Sequence, residues 1–299
     1  MKRTIVIASL VVILSSCSAG QEKQPTLAPT ANGSSQLQTT QPSMAPEPKL
    51  TLADRKQMAN TFAFANQDGS QLIYPLIGQN VTTPLESFKK AIGENGQVYE
   101  LAYVGEQKAG TSDSGRQTAE NFANVHGIIF DVKNGPAKAN QTYYLTKEEI
   151  IPVESLQTYS YEQTEVSDKE EIARIEAAKD RKVKQAWVIG SGASFKIEIV
   201  EFERVGDSML ASVVLVKKDN LAFHDFEAKY NEYSTWRVDD GGKMMPKLFH
   251  VMFVAKSAEG DVIGLAWAGA EAEDELLLFE NGTKLDSLDE GASRYWSPM

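Results

Sequence analysis

Very short turns punctuate this chain: Asn95-Gly96, Gly206-Asp207, residues 259–261 and Asn281-Gly282, each set between runs rich in β-branched, aliphatic and aromatic residues. Asn-Gly and Gly-Asp pairs accept positive φ at little cost and reverse the backbone within two residues. Parallel strands need a crossover of a dozen residues or more, so turns this short dictate antiparallel hairpins. Strands are expected over 71–77, 97–104, 127–133 and 142–145, and again over 185–189, 194–203, 208–217, 248–256, 261–268 and 275–280. A further turn is expected at 190–192. In the run 194–203, Phe195, Ile197 and Ile199 alternate with Lys196 and Glu198, after which the apolar phase moves to Val200 and Phe202. A bulge near Ile199 and Val200 would account for that change.

Helical spacing is sparser. Residues 52–64 are amphipathic in part, 84–92 read as a short helix, and 167–184 open with Ser167 and Glu170 in capping-box spacing. Ile172 and Ile175 are the clear apolar stripe of that last helix, so a solvated connector between two lobes is expected. In the stretch 221–236, Phe223, Phe226, Tyr230, Tyr233 and Trp236 recur every three or four residues, which puts them on one face of a helix. A polar loop with Asp239 and Asp240 follows. The aromatic face suits stacking on sugar rings or docking a partner helix, and the paired aspartates suit a cation; equally, the rings can pack on a sheet while Asp239-Asp240-Gly241-Gly242 turns the chain.

The amino-terminal stretch is of another kind. Lys2 and Arg3 precede an apolar run over 5–14, IVIASLVVIL, that ends in Ser15 and Ser16. A spanning helix needs about 20 apolar residues, so this layout is that of a removable secretory signal. Its end, Leu14-Ser15-Ser16-Cys17, resembles the lipobox of bacterial lipoproteins. The resemblance implies that Cys17 is lipidated, that cleavage falls before it, and that the protein is anchored to the cell membrane, facing outside the cytoplasm. It covers about the first 20 residues and carries no information on the fold of the rest. Cys17 is the one cysteine in the sequence, so no intrachain disulfide is expected. Residues 17–50 are rich in Gln, Ser, Thr, Pro and Ala, too poor in large apolar side chains to repay the entropy of ordering. They read as a disordered tether whose fully extended reach is on the order of 100 Å.

The formal net charge of −11, made more negative by loss of Lys2 and Arg3, excludes nucleic acid and anionic lipid surfaces as charge-driven partners. His126, His224 and His250 are isolated from one another, and neither HExxH, CxxC, a GxSxG elbow nor a phosphate-binding loop is present. No metal, cofactor or catalytic residue is therefore assigned. The dense run Glu271, Glu273, Asp274 and Glu275 reads as a solvated loop ahead of a strand.

The expected fold class is α+β, predominantly antiparallel β-sheet with a few helices, behind a signal peptide (1–16) and a tether (17–50). An N-terminal α+β region (51–166) and a C-terminal β-rich region (167–299) follow, as two domains or as one. Lipid-anchored solute-binding subunits alternate strands and helices in two α/β lobes, unlike the consecutive hairpins here. The expected role is binding or accessory work in the envelope, on wall polymer or an envelope protein, with Tyr230, Tyr233, Trp236, Asp239 and Asp240 as the candidate surface. The rival is a tethered hydrolase of wall glycan using paired carboxylates.

Overall fold

Six strands come first: β1 (Phe62–Ala65), β2 (Gln71–Pro75), β3 (Lys90–Gly93), β4 (Gln97–Gln107), β5 (Gly127–Val132) and β6 (Thr142–Thr146). They pair antiparallel in the order β1-β2-β5-β4-β3-β6 and close as β6 pairs back with β1. The computed structural model describes residues 51–76, 84–93, 95–232, 244–269, 271–288 and 291–296. A six-stranded barrel is narrow, and its interior is filled by alternating large and small side chains: Tyr74, Tyr99, Phe130 and Tyr143 against Ala63, Ala65 and Ala91. Asn95 and Gly96 both take positive φ, 65° and 82°, which closes β3 onto β4 in the tight turn the Asn-Gly pair predicts.

The rest of the chain supplies β7 (Tyr159–Glu165), α1 (Lys169–Lys179), β8 (Val183–Gly192), β9 (Lys196–Phe202), β10 (Ser208–Val216), β11 (Leu221–Lys229), β12 (Phe249–Ser257), β13 (Gly260–Ala268), β14 (Ala272–Asn281), β15 (Lys284–Ser287) and β16 (Ala292–Tyr295). These ten strands form a second sheet, ordered β12-β13-β14-β15-β11-β10-β9-β8-β7, with β16 added to β14. Every pairing is antiparallel except the single parallel contact between β11 and β15. Inward side chains from both ends of that order, Tyr159 and Phe249 included, share one core, so the sheet curls until its edges approach. The Tyr159 hydroxyl donates to the Val251 carbonyl at 2.7 Å across that gap.

Barrel and sheet are joined by a second apolar layer. Phe62, Ile92 and Tyr144 from the barrel meet Met252, Phe253, Val262 and Leu277 on the outer face of β12–β14. A bulge between Val251 and Phe253 lets Met252 and Phe253 both face the barrel, while Val251 and Val254 face the inner core. The Gly96 N–H donates to the bulged Met252 carbonyl at 2.6 Å, and Gly264 lies opposite Phe253, where a Cβ would come within 2.3 Å of the ring. Residues Pro48–Met299 accordingly form one compact unit.

The antiparallel β character is as the hairpin turns require, and several local expectations are corrected. Residues 52–64 form a 3-10 turn at Arg55–Gln57 followed by β1, and residues 84–92 a 3-10 turn at Leu85–Ser87 followed by β3. The helix expected over 167–184 is α1, shorter, and capped by Asp168 rather than Ser167: the Asp168 carboxylate accepts from the N–H groups of Glu170 and Glu171. It is no connector, because Ile175 is buried against Val200, Phe202, Val214 and Phe223. That cover explains β9. Its pairing with β10 is continuous, without a bulge at Ile199 and Val200; Ile197 and Ile199 face the inner core while Val200 and Phe202 face α1, so both faces are apolar. The irregularities lie in β8, at Val183/Gln185 and Val188/Gly190, and β8 runs through Gly192, so the turn comes after the expected 190–192.

Within the described part of the aromatic stretch, Leu221–Lys229 is strand, not helix. A spacing of three puts side chains on one face of a helix but on opposite faces of a strand. In β11, Phe223 packs toward α1 and Phe226 toward the inner core, where it meets Trp267 at 4.7 Å between ring centroids. Long-range pairing with β10 along nine residues overrides the helical spacing.

Candidate functional site

The outer face of β12–β14 that meets the barrel is not fully covered. At one end it floors a cleft of about 260 Å³, bordered by Tyr161, His250, Glu273, Arg294 and Trp296, with Asn140, Gln141, Thr142 and Lys247 around its rim. Each element delivers its side chain by strand alternation. His250 on β12 pairs with Ala266 on β13, and Ala266 pairs with Glu275 on β14, so a small residue between two long ones leaves the floor hollow. Glu273 lies two positions along β14 on the same face. β16 pairs with the first half of β14 and sets Arg294 directly opposite Glu273.

From the barrel, Asn140 adopts φ 58° and turns the chain into β6, aiming its carbonyl at Arg294 Nη1, 3.0 Å away. Thr142 follows on the outward side of β6. Its hydroxyl bonds Glu273 and lies 3.5 Å from Glu275 Oε1. Arg294 Nη2 stands 3.0 Å from Glu273 Oε2, an ion pair not aligned as a hydrogen bond, and Nε has no hydrogen-bond partner among the described residues. The guanidinium also lies over the rings of Phe64, 5.2 Å, and Trp296, 5.1 Å from the centroids. A planar, weakly hydrated cation tolerates that burial where an ammonium would not.

The two carboxylates differ in access. Glu273 borders the cleft. Glu275 is 2 % exposed and borders a small cavity of about 20 Å³ with Gln117, Thr142, Ser293 and Arg294, room for about one water. Burial first, and the charge of Glu273 next, hold the Glu275 carboxyl well above the usual carboxylate range, against the opposing pull of Arg294. Asp274, on the other face of β14, is also raised, chiefly by burial. Thr142 thus joins an open carboxylate to a sealed one.

A larger groove of about 470 Å³ runs past Gln157, Lys217, Lys218, Lys256 and Asp261. Its buried charges pair across it: Lys217 Nζ lies 2.7 Å from Asp261 Oδ2 and 2.6 Å from Glu280 Oε2. It is a structural ion network.

Of the residues singled out in the sequence, Tyr230 lies just beyond β11, 45 % exposed, with the Arg204 guanidinium 3.9 Å from its ring centroid. Tyr233, Trp236, Asp239, Asp240 and Cys17 lie outside the described residues. The run at 271–275 is not a solvated loop: β14 begins at Ala272 and buries Glu275. Sequence reasoning missed Thr142, Tyr161, Arg294 and Trp296. The one local signal was the two-residue spacing of Glu273 and Glu275, which puts both on one face of a strand.

No known family, curated protein or solved structure matches this chain. Among the described residues there is no group of His, Cys, Asp and Glu side chains able to hold a metal ion, and no helix long and apolar enough to cross a membrane.

Proposed function

We propose that this chain is a lipoprotein of a bacterial envelope, anchored to the cell membrane through lipid on Cys17 and facing outside the cytoplasm, whose β-rich body binds saccharide units of wall polymer in the cleft between barrel and sheet. The observation that carries the reading is the joint lining of one cleft by the rings of Tyr161, His250 and Trp296 and by the planar polar groups of Gln141, Glu273 and Arg294. Sugar rings offer C–H faces to aromatic side chains and neighbouring hydroxyl pairs to carboxylates and guanidinium groups. A concave, partly apolar site with a few convergent polar groups is the usual form of a small-ligand site. The Glu273–Arg294 pair is internally neutral, which favours an uncharged polyhydroxy ligand over an ion.

Cosedimentation of the unit Pro48–Met299 with purified cell wall tests it. Wild type pellets with the wall, Trp296→Ala and Tyr161→Ala lose most of that binding while still folded, and a Tyr230→Ala, Tyr233→Ala, Trp236→Ala variant tests the alternative surface. Binding lost only in the triple variant moves the site there, and no binding by wild type ends the wall reading. Labelling with palmitate in cells, lost in Cys17→Ser, tests the anchor.

The convergence of Glu273 and Glu275 on Thr142 favours a second reading, a tethered glycan hydrolase. Such an enzyme needs two carboxyls flanking the scissile bond, whereas Glu275 reaches the cleft only through Thr142. Release of soluble sugar from wall polymer by wild type and not by Glu273→Gln would establish it.

A further inference from the structure

A threonine hydroxyl has one hydrogen to donate and lone pairs to accept with. Thr142 Oγ1 lies between two carboxyl groups, bonded to Glu273 and 3.5 Å from Glu275 Oε1, so its own hydrogen serves one of them and the other, when protonated, can donate to it. The direction is set by the surroundings. Arg294 stands 3.0 Å from Glu273 Oε2 and favours the carboxylate there, while Glu275 is sealed from solvent, where a charge without full compensation is costly. The chain then runs from the Glu275 carboxyl to the Thr142 oxygen, and from the Thr142 hydrogen to the Glu273 carboxylate, with Arg294 closing it.

We propose that Glu275, Thr142 and Glu273 form a proton relay that links the sealed junction of barrel and sheet to the open cleft, so that the cleft delivers a proton to, or removes one from, the ligand it holds. The proposal rests on the cleft being the ligand site. In the forward step the Glu275 O–H bond breaks as its proton passes to Thr142 Oγ1, the original Thr142 hydrogen passes to Glu273, and Glu273 hands its proton to the ligand. While the proton is on Glu273 the single negative charge is on Glu275; once Glu273 has handed it to the ligand both groups are carboxylates beside Arg294, which acts on both. The reverse step takes a proton from the cleft and reloads Glu275. The charged and titratable groups around Glu275 are Glu273 on the same face of its strand, Asp274 beside it on the opposite face, Arg294 on β16, and His250 across Ala266. Thr142 and Gln117 face it from the barrel side, and neither titrates.

Infrared spectra of the full chain in detergent, recorded from acid to alkaline pH without ligand, test the relay. At neutral pH one protonated-carboxyl stretch disappears in Glu275→Gln. That band moves to higher frequency in Thr142→Val, which keeps the shape and removes the hydroxyl, and returns in Thr142→Ser. In Glu273→Gln, which deletes the neighbouring charge, the pH at which the Glu275 band is lost falls. A neutral-pH spectrum unchanged by Glu275→Gln, a band unmoved in Thr142→Val, or a midpoint unmoved in Glu273→Gln overturns the relay. If Thr142→Val fails to fold, the Glu273→Gln midpoint carries the test. Since no ligand is present, failure here leaves wall binding standing, and failure of wall binding leaves the spectra to be judged alone.

Discussion

Among the described residues, acidic side chains are buried beneath α1, at the junction of barrel and sheet, and around Lys217, and the first two places behave differently. Under α1, Glu198 on β9 is completely covered and lies close to Glu171 of the helix, with Lys196 Nζ 3.4 Å from Glu198 Oε1 and bonded to Glu171. Burial first, and the charge of Glu171 next, push the Glu198 carboxyl up to about 8. At the junction of barrel and sheet, Glu275 is raised by the same two causes, burial and a neighbouring glutamate. Perturbed proton affinity therefore does not mark a site by itself. The junction pair differs in three respects: a hydroxyl joins its members, one member borders a cleft with aromatic walls, and a guanidinium rather than a lysine balances it. The α1 pair has a lysine clamp and borders none of the described clefts.

The largest expected effect breaks the comparison at the seam. Phe253→Ala removes a fully buried ring from the layer joining barrel and sheet and should cost about 3–5 kcal/mol of stability. In the folded fraction it should lower the proton affinity of Glu275 and leave Glu198 unchanged; a shift at both pairs would show that the seam does not set them separately. Next, Ile175→Ala loosens α1 from β9 and β10, at about 2–4 kcal/mol. It should bring the Glu198 titration down from about 8 toward 4.5 and leave the Glu275 band in place.

Glu198→Gln sharpens the comparison through pH. A carboxyl whose folded affinity lies above its unfolded value binds more protons when native, so its contribution to stability is greatest below the unfolded value and is lost as pH rises. For Glu198 that window runs from 4.5 to about 8. The variant should match wild type in acid and become more stable than it across that window by a few kcal/mol at most, read as the difference in urea midpoints at each pH. A constant difference across pH would show that folding leaves the proton affinity of Glu198 unchanged. Glu275→Gln should gain in the same direction. The smallest effect is expected for Tyr230→Ala: an exposed ring outside both pairs should change stability by no more than about 0.5 kcal/mol and leave wall binding intact, measured by the same unfolding and pelleting assays.

Strand periods were legible wherever one face of a strand meets solvent, and misleading where both are covered. β9 looked bulged because α1 buries its second face, and β11 looked helical because Phe223 and Phe226 serve two different cores. The candidate site was less legible still. Thr142 and Arg294 are 152 positions apart in sequence, and only barrel closure and the addition of β16 to β14 bring them to Glu273. No local pattern encodes a meeting of that kind.

By itself the sequence determined the antiparallel hairpins, because Asn-Gly turns tolerate positive φ and leave no room for a crossover, and it determined that the fold holds without disulfides, because Cys17 is alone. It also set the lipobox resemblance and the acidic balance that disfavours nucleic acid. Closure of the first six strands into a barrel, the curl of the other ten, and the sealing of Glu275 beside an open Glu273 were decided in the tertiary structure. These depend on which apolar faces find each other across long stretches of chain, and burial, which sets the proton affinity of a carboxyl, exists only once they have met.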